Sequence, residues 1–125
     1  MNPIIAQSQL NTLNSLLAEQ PFGQNLREVM QLRQELERAQ IVTDEEITDD
    51  IIQIGSRCTI EEMKSKHQME LVLTSPNEAD VKLKKFSVLS PLGVAIIGFK
   101  QGLEFEWLMP GGLRNFKVLS VSKAA

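Results

Sequence analysis

The stretch Phe86 to Val121, FSVLSPLGVAIIGFKQGLEFEWLMPGGLRNFKVLSV, constrains the fold more than any other part of the chain. Ser90 is suited to be an N-cap because its hydroxyl can accept from a free amide of the first helical turn. Pro91 then falls where a missing N–H costs nothing. Leu92, Ala95 and Ile96 recur at helical spacing, and Gly98 tolerates the left-handed backbone just past the last turn. The helix is about two turns long. After Gly102 the period changes to two, with Leu103, Phe105, Trp107 and Met109 on one face and Glu104, Glu106 and Leu108 on the other. Pro110-Gly111 suits the centre of a type II turn, which returns the chain as a second strand over Leu113 to Val121. On that strand Phe116 and Val118 indicate one face and Leu119 and Val121 the other, which requires either a bulge or burial on both sides.

Upstream the period is helical. Ser8 is a candidate N-cap, and Leu10, Leu13 and Leu17 form a narrow apolar seam. Pro21-Phe22-Gly23 interrupts it. A second seam follows at Phe22, Leu26, Val29, Leu32, Leu36 and Ala39, so the two predict an antiparallel helical hairpin. With ~12–16 residues per arm at ~1.5 Å each, the hairpin reaches only about 18–24 Å. Thr43 to Glu46 has the capping-box pattern and predicts a helical turn. It opens an acidic, solvated linker containing Asp44, Glu45, Glu46, Asp49 and Asp50. Strand pattern resumes at Arg57 to Ile60, at Met69, Leu71 and Leu73, and at Phe86 and Val88, with polar breaks at Glu61 to Gln68 and Ser75 to Asp80. The expected division is a hairpin over residues 1–42, a linker over 43–53 and a sheet domain over 54–125.

Composition excludes several classes. A chain of 125 residues buries roughly two thirds of its unfolded surface, enough for one core with an appendage. Met1 to Gln9 has no leader pattern, and the longest apolar run, Leu92 to Phe99, falls far below the ~20 residues of a membrane span. A cytoplasmic, non-membrane protein is expected. Cys58, the single cysteine, cannot form an internal disulfide and reads as a small apolar strand residue. The net charge of −3 conceals opposite halves: residues 1–63 carry 4 Lys/Arg against 11 Asp/Glu, and residues 64–125 carry 9 against 5. That asymmetry fits either solvated faces or steering onto a large charged partner. Lys82, Lys84 and Lys85 are the densest basic cluster, but no aromatics interleave with them, so sequence-specific nucleic-acid binding is not expected.

No enzymatic constellation is evident. His67, the single histidine, lies in the polar Lys64-Ser65-Lys66 turn, so a usual zinc site cannot be built and neither metal nor cofactor is expected. Gly93 to Gly98 has the glycine spacing of a phosphate loop, but Phe99-Lys100 follows where Lys-Ser/Thr is required. Glu104 and Glu106 share a strand face and read as solvent-facing charge. The ring of Tyr and Phe that a prolyl pocket would need around Trp107 is not evident.

The SPLG, ERAQ and PGG motifs nevertheless carry a resemblance. Phe86 to Val121 resembles the C-terminal domain of the bacterial GreA/GreB transcript-cleavage factors, an FKBP-like α+β domain. LLAEQPFGQNL (Leu16 to Leu26) and ELERAQIVTDEEITDDIIQIGSR (Glu35 to Arg57) resemble the Rnk branch, the regulators of nucleoside diphosphate kinase. The resemblance implies an α+β fold, an antiparallel FKBP-like sheet with one short helix after a short hairpin. It also implies a non-enzymatic partner of bacterial RNA polymerase at the rim of its secondary channel; a monomer is expected. The matching docking positions are Ser90, Pro91, Leu92 and Gly93, at the exposed start of the short helix, and the hairpin tip is Glu19, Gln20, Pro21, Phe22 and Gly23. That tip lacks the acidic motif of the cleavage factors, so the resemblance implies competition with them without stimulated cleavage. Regulation of nucleoside diphosphate kinase, or of another nucleotide-metabolising enzyme, by direct contact is the alternative.

Overall fold

A computed structural model describes residues 2–19, 26–109 and 111–124. Strand β1 (Ile4–Ala6) leads directly into helix α1 (Gln7–Glu19). Helix α2 (Leu26–Arg38) returns to strand β2 (Gln40–Val42). The rest of the chain builds a five-stranded sheet from β3 (Ser56–Glu62), β4 (Gln68–Thr74), β5 (Lys85–Ser87), β6 (Glu104–Met109) and β7 (Gly112–Lys123), with helix α3 (Pro91–Ile96) between β5 and β6. The sheet order is β5-β4-β3-β7-β6. The class is α+β, a helical hairpin followed by a curled, mostly antiparallel sheet.

The local signals of the sequence reappear with two adjustments, at Ser8 and Leu26. Ser8 is not the N-cap of α1, because the helix starts one residue earlier, straight from β1. The amide of Ser8 instead donates to Asp44 Oδ1 at 3.0 Å, so a carboxylate from the acidic segment satisfies this helix end. Thr43 and Glu46 do form reciprocal box hydrogen bonds, both 3.1 Å. They close the expected single helical turn, with Ile47 N donating to Thr43 O at 3.2 Å, and it goes no further because Ile51 and Ile52 beyond it enter the core. Leu26, expected in the second seam, is 58% exposed, while Val29 and Leu32 are buried and Leu36 is half-buried.

Two features of the sheet depart from a simple antiparallel meander. β5 pairs with β4 in parallel, Val72 opposite Lys85 and Thr74 opposite Ser87. The ten residues between them double back through two single-turn 3-10 helices, Pro76–Glu78 and Val81–Leu83. The phase conflict on β7 is resolved by a bulge: Thr59 faces Ser120 but Ile60 faces Val118, leaving Leu119 as the extra residue. The buried phase then moves from Phe116 and Val118 to Val121.

A short parallel pair, β1 with β2, was not legible in the sequence. It ties the hairpin base to the sheet domain. The amide of Ile4 donates to Gly98 O at 3.0 Å, and that of Gln40 donates to Pro3 O at 2.8 Å. Gln53, 8% exposed, binds from the other side: its side-chain amide donates to Ile4 O at 2.8 Å and Ile52 O at 2.9 Å, and its oxygen accepts from Ala6 N at 3.2 Å. Leu13, Leu17, Val29 and Leu32 of the hairpin therefore share one hydrophobic cluster with Ile60, Leu71, Val94 and Val118 of the sheet domain.

Gly98 sits where these paths meet. Its φ is +81°, and a Cβ there would lie 2.5 Å from Pro3 Cβ and 2.9 Å from Ile4 N. Gly98→Ala combines a left-handed backbone cost with a clash and is expected to lower unfolding free energy by about 3 kcal/mol. Gly55→Ala, at φ +99° with open space around it, carries only the backbone cost of about 1 kcal/mol. Urea denaturation of the two variants side by side measures the difference; equal losses would show that the β1 contact adds nothing.

Candidate functional site

The SPLG segment begins α3. Ser90 Oγ accepts from Gly93 N at 3.1 Å and donates to Ser87 O at 2.6 Å, so one hydroxyl caps the helix and fastens it to the preceding turn. Pro91 occupies the first turn and is exposed, whereas Ser90 is half-buried. Leu92, 4% exposed, and Gly93 face inward. The expectation of an exposed helix start thus fails for these two, because a six-residue helix lying against the sheet buries nearly its whole circumference. Gly93 has a steric role: a Cβ would come within 2.1 Å of Ser87 O and 2.9 Å of Val88 Cα. The pattern Ser-Pro-Leu-Gly therefore sets the position of Pro91 through three residues that mostly point elsewhere.

Of the hairpin tip, Glu19 is described and exposed at the end of α1. Gln20, Pro21, Phe22 and Gly23 lie outside the described residues, as does the turn at Pro110.

A groove lined by β3, β4, β6 and β7 was not legible in the sequence. It has a volume of about 450 Å³ and an apolar lining of Ile60, Met69, Trp107 and Phe116. Its aromatic wall continues inward: Trp107 meets Phe116 at 5.8 Å between centroids, Phe116 meets Phe105 at 5.7 Å and Phe105 meets Phe99 at 5.3 Å. The four rings form a chain with Trp107 at one end, and only Phe116 meets the tryptophan directly. The alternation of Phe105 and Trp107 on β6 was the available signal; the contribution of Phe116 depended on the register of β7.

At the rim, Glu62 ends β3 with its side chain 8% exposed. Its carboxylate accepts from the Ser65 amide, and Arg114 Nη1 lies 3.4 Å from Oε1. The Ser65 hydrogen bonds, followed by Arg114, hold this carboxyl below the usual carboxylate range against the opposing effect of desolvation. Cys58, 1% exposed, has its thiol pushed up to about 12 by burial, as expected of a packing residue. His67 is exposed in its turn. Among the described residues no group of three His, Cys, Asp or Glu is placed to hold a metal, and no helix is long and apolar enough to cross a membrane.

This arrangement, a capped short helix on a curled sheet with a helical hairpin fastened to its base, matches a known group of proteins. The family model for the C-terminal domain of the transcription elongation factors GreA/GreB covers residues 46–123. The chain belongs to the GreA/GreB transcription elongation factor family. Over 95 residues it is 35% identical to transcription elongation factor GreA of Syntrophomonas wolfei and 34% identical to that of Acetivibrio thermocellus. Each alignment covers 76% of this chain and 60% of the relative, so the chain spans about three fifths of the relatives' length. The solved structure of a prokaryotic transcription elongation factor GreA/GreB from Nitrosomonas europaea superposes with a TM-score of 0.78 at 29% identity, covering 98% of both chains. Thermus aquaticus Gfh1 shares the fold, with a TM-score of 0.56 at 20% identity over 97% of this chain and 98% of that one.

The depressed Glu62 pKa has a defined consequence. A carboxyl whose folded-state pKa lies below its unfolded value of 4.5 adds stability that is fully present above that pH and is lost as pH falls through the folded pKa. Glu62→Gln is expected to flatten the acid limb of stability, measured as urea midpoint against pH between about 3 and 7. Parallel acid limbs in the two proteins would remove Glu62 from that role.

Proposed function

We propose that this chain is a non-enzymatic regulator of bacterial RNA polymerase in the cytoplasm, a monomer of the Rnk branch. It docks at the rim of the secondary channel and competes with GreA/GreB-type factors without stimulating transcript cleavage. Family membership supports the transcription setting. The observation that carries the finer reading is the length of the hairpin: α1 and α2 have 13 residues each, which at ~1.5 Å per residue gives arms of about 20 Å.

Tip chemistry points the same way. Assisting a metal at a polymerase active site requires carboxylates clustered at the end of the arm. Between Glu19 and Glu28 this sequence has Gln20, Pro21, Phe22, Gly23, Gln24, Asn25, Leu26 and Arg27, with no acid among them. A short arm whose tip carries one carboxylate, Glu19, with Glu28 beyond it, suits occupation of a site better than chemistry within it. For docking, Pro91 is the reachable member of the SPLG segment, with Ser90 beside it; Leu92 and Gly93 support the pair from beneath. The division into residues 1–42, 43–53 and 54–125 belongs to this reading: an arm, an acidic connector and a docking body.

The test uses purified core polymerase. The full chain should bind saturably and be displaced by GreA, and Pro91→Glu should weaken binding at least about tenfold, a loss of ~1.4 kcal/mol. Glutamate is tolerated in a first helical turn, so the variant should retain its fold. Addition of the chain to a backtracked complex should leave cleavage at its intrinsic rate. Stimulated cleavage would overturn the inhibitory reading, and failure to bind would overturn the polymerase reading.

A further inference from the structure

We propose that the free edge of β6 is a docking site for an extended basic segment of a partner protein, which joins the sheet as a sixth strand. This surface is separate from the SPLG segment and does not rest on the polymerase reading. β6 is an outermost strand, hydrogen-bonded to β7 alone. Its register settles which groups face outward. Val118 N donates to Leu103 O at 2.9 Å while Gly102 N donates to Val118 O at 2.7 Å, so the carbonyl of Leu103 points toward β7. Alternation then turns Phe105, Trp107 and Met109 toward β7 as well, consistent with the closing pair of Met109 and Gly112. Glu104, Glu106 and Leu108 present their N–H and C=O groups to the open side, where no described main-chain group meets them.

Side chains on this edge define the partner. Glu104 and Glu106 are both exposed on the outer face, and neither has an ion-pair partner among the described residues. At the end of the same face, Leu108 is 73% exposed and stands opposite Leu113, 63% exposed. The inner face carries the half-buried rings of Phe105 and Trp107. An added strand therefore places Lys or Arg beside the two carboxylates and an aliphatic residue beside the leucine pair. Its alternate side chains extend the aromatic wall on the inner face. Main-chain hydrogen bonds supply affinity in such an arrangement, and the alternating side chains supply specificity. A second copy of this chain does not fit, because pairing β6 with itself would bring four carboxylates onto one face.

The probe is an acetylated, amidated hexapeptide, Lys-Val-Lys-Val-Lys-Ile, titrated into the full chain and followed by Trp107 fluorescence and by amide chemical shifts. Saturable binding is expected at low salt, with the largest shifts and slowed exchange at Glu104, Glu106 and Leu108. The double variant E104K/E106K, altered only at exposed positions, should bind the peptide at least about tenfold more weakly. It should also acquire affinity for the peptide with Glu in place of Lys. A probe N-methylated at alternate residues should lose binding, since it cannot donate to the edge. Unchanged affinity in the variant, equal binding of the N-methylated peptide, shifts mapping elsewhere, or no saturation by about 1 mM would each overturn the proposal.

Discussion

The backbone of Gly98 is the point on which the architecture turns. Its carbonyl accepts from Ile4 and its amide donates to Ile52 O at 2.8 Å, while Ile52 N donates to Phe99 O at 2.8 Å. Three segments remote in sequence are thus joined through one residue lacking a side chain: the N-terminal strand, the end of the acidic segment and the exit from α3. Any Cβ here would collide with Pro3. Because β1 precedes α1 without a break and β2 follows α2 closely, fastening β1 at Gly98 also sets where the helical hairpin leaves the sheet. Gln53 strengthens the same junction with buried hydrogen bonds, of a kind that are costly to leave half-made.

That junction gives the acidic segment a structural role as well as a solvated one. Asp44 caps the start of α1 by accepting from Ser8, Thr43 and Glu46 close their own turn, and Ile51 and Ile52 enter the core. Glu45, Glu46 and Asp49 of the segment are exposed, and Asp49 lies 3.5 Å from Lys123 of the C-terminal half.

The sheet domain separates stability from contact. Ser90, Leu92 and Gly93 spend their chemistry on capping, burial and close approach, which leaves Pro91 held rigidly at the surface. Similarly, Glu62 uses its carboxylate to hold the turn after β3 and to meet Arg114, beside a groove lined by Trp107 and Phe116. In both places a polar residue with a local structural duty positions an apolar one that remains reachable.

What the sequence determined by itself was whatever depends on neighbours in the chain. The Ser90 cap and Pro91 start, the positive φ at Gly98, the alternation along β6 and the apolar seams at Leu13, Leu17, Val29 and Leu32 follow from local sterics and from periods of two and 3.6. So do the packing role of Cys58 and the exposed turn at His67. Tertiary structure alone decided the parallel β1–β2 and β4–β5 pairings, since three-residue strands carry too little pattern to announce a partner. It decided that Asp44 and not Ser8 completes the first turn of α1, and that Leu26 stays exposed while Leu92 does not, because burial depends on what lies opposite. The bulge at Leu119 was foreshadowed by a conflict of phase, but only the register against β3 could choose it over burial on both faces. The aromatic groove had the same origin: Trp107 and Phe116 meet because the pairing of β6 with β7, a long-range hydrogen-bonding constraint, brings them to one side of the sheet.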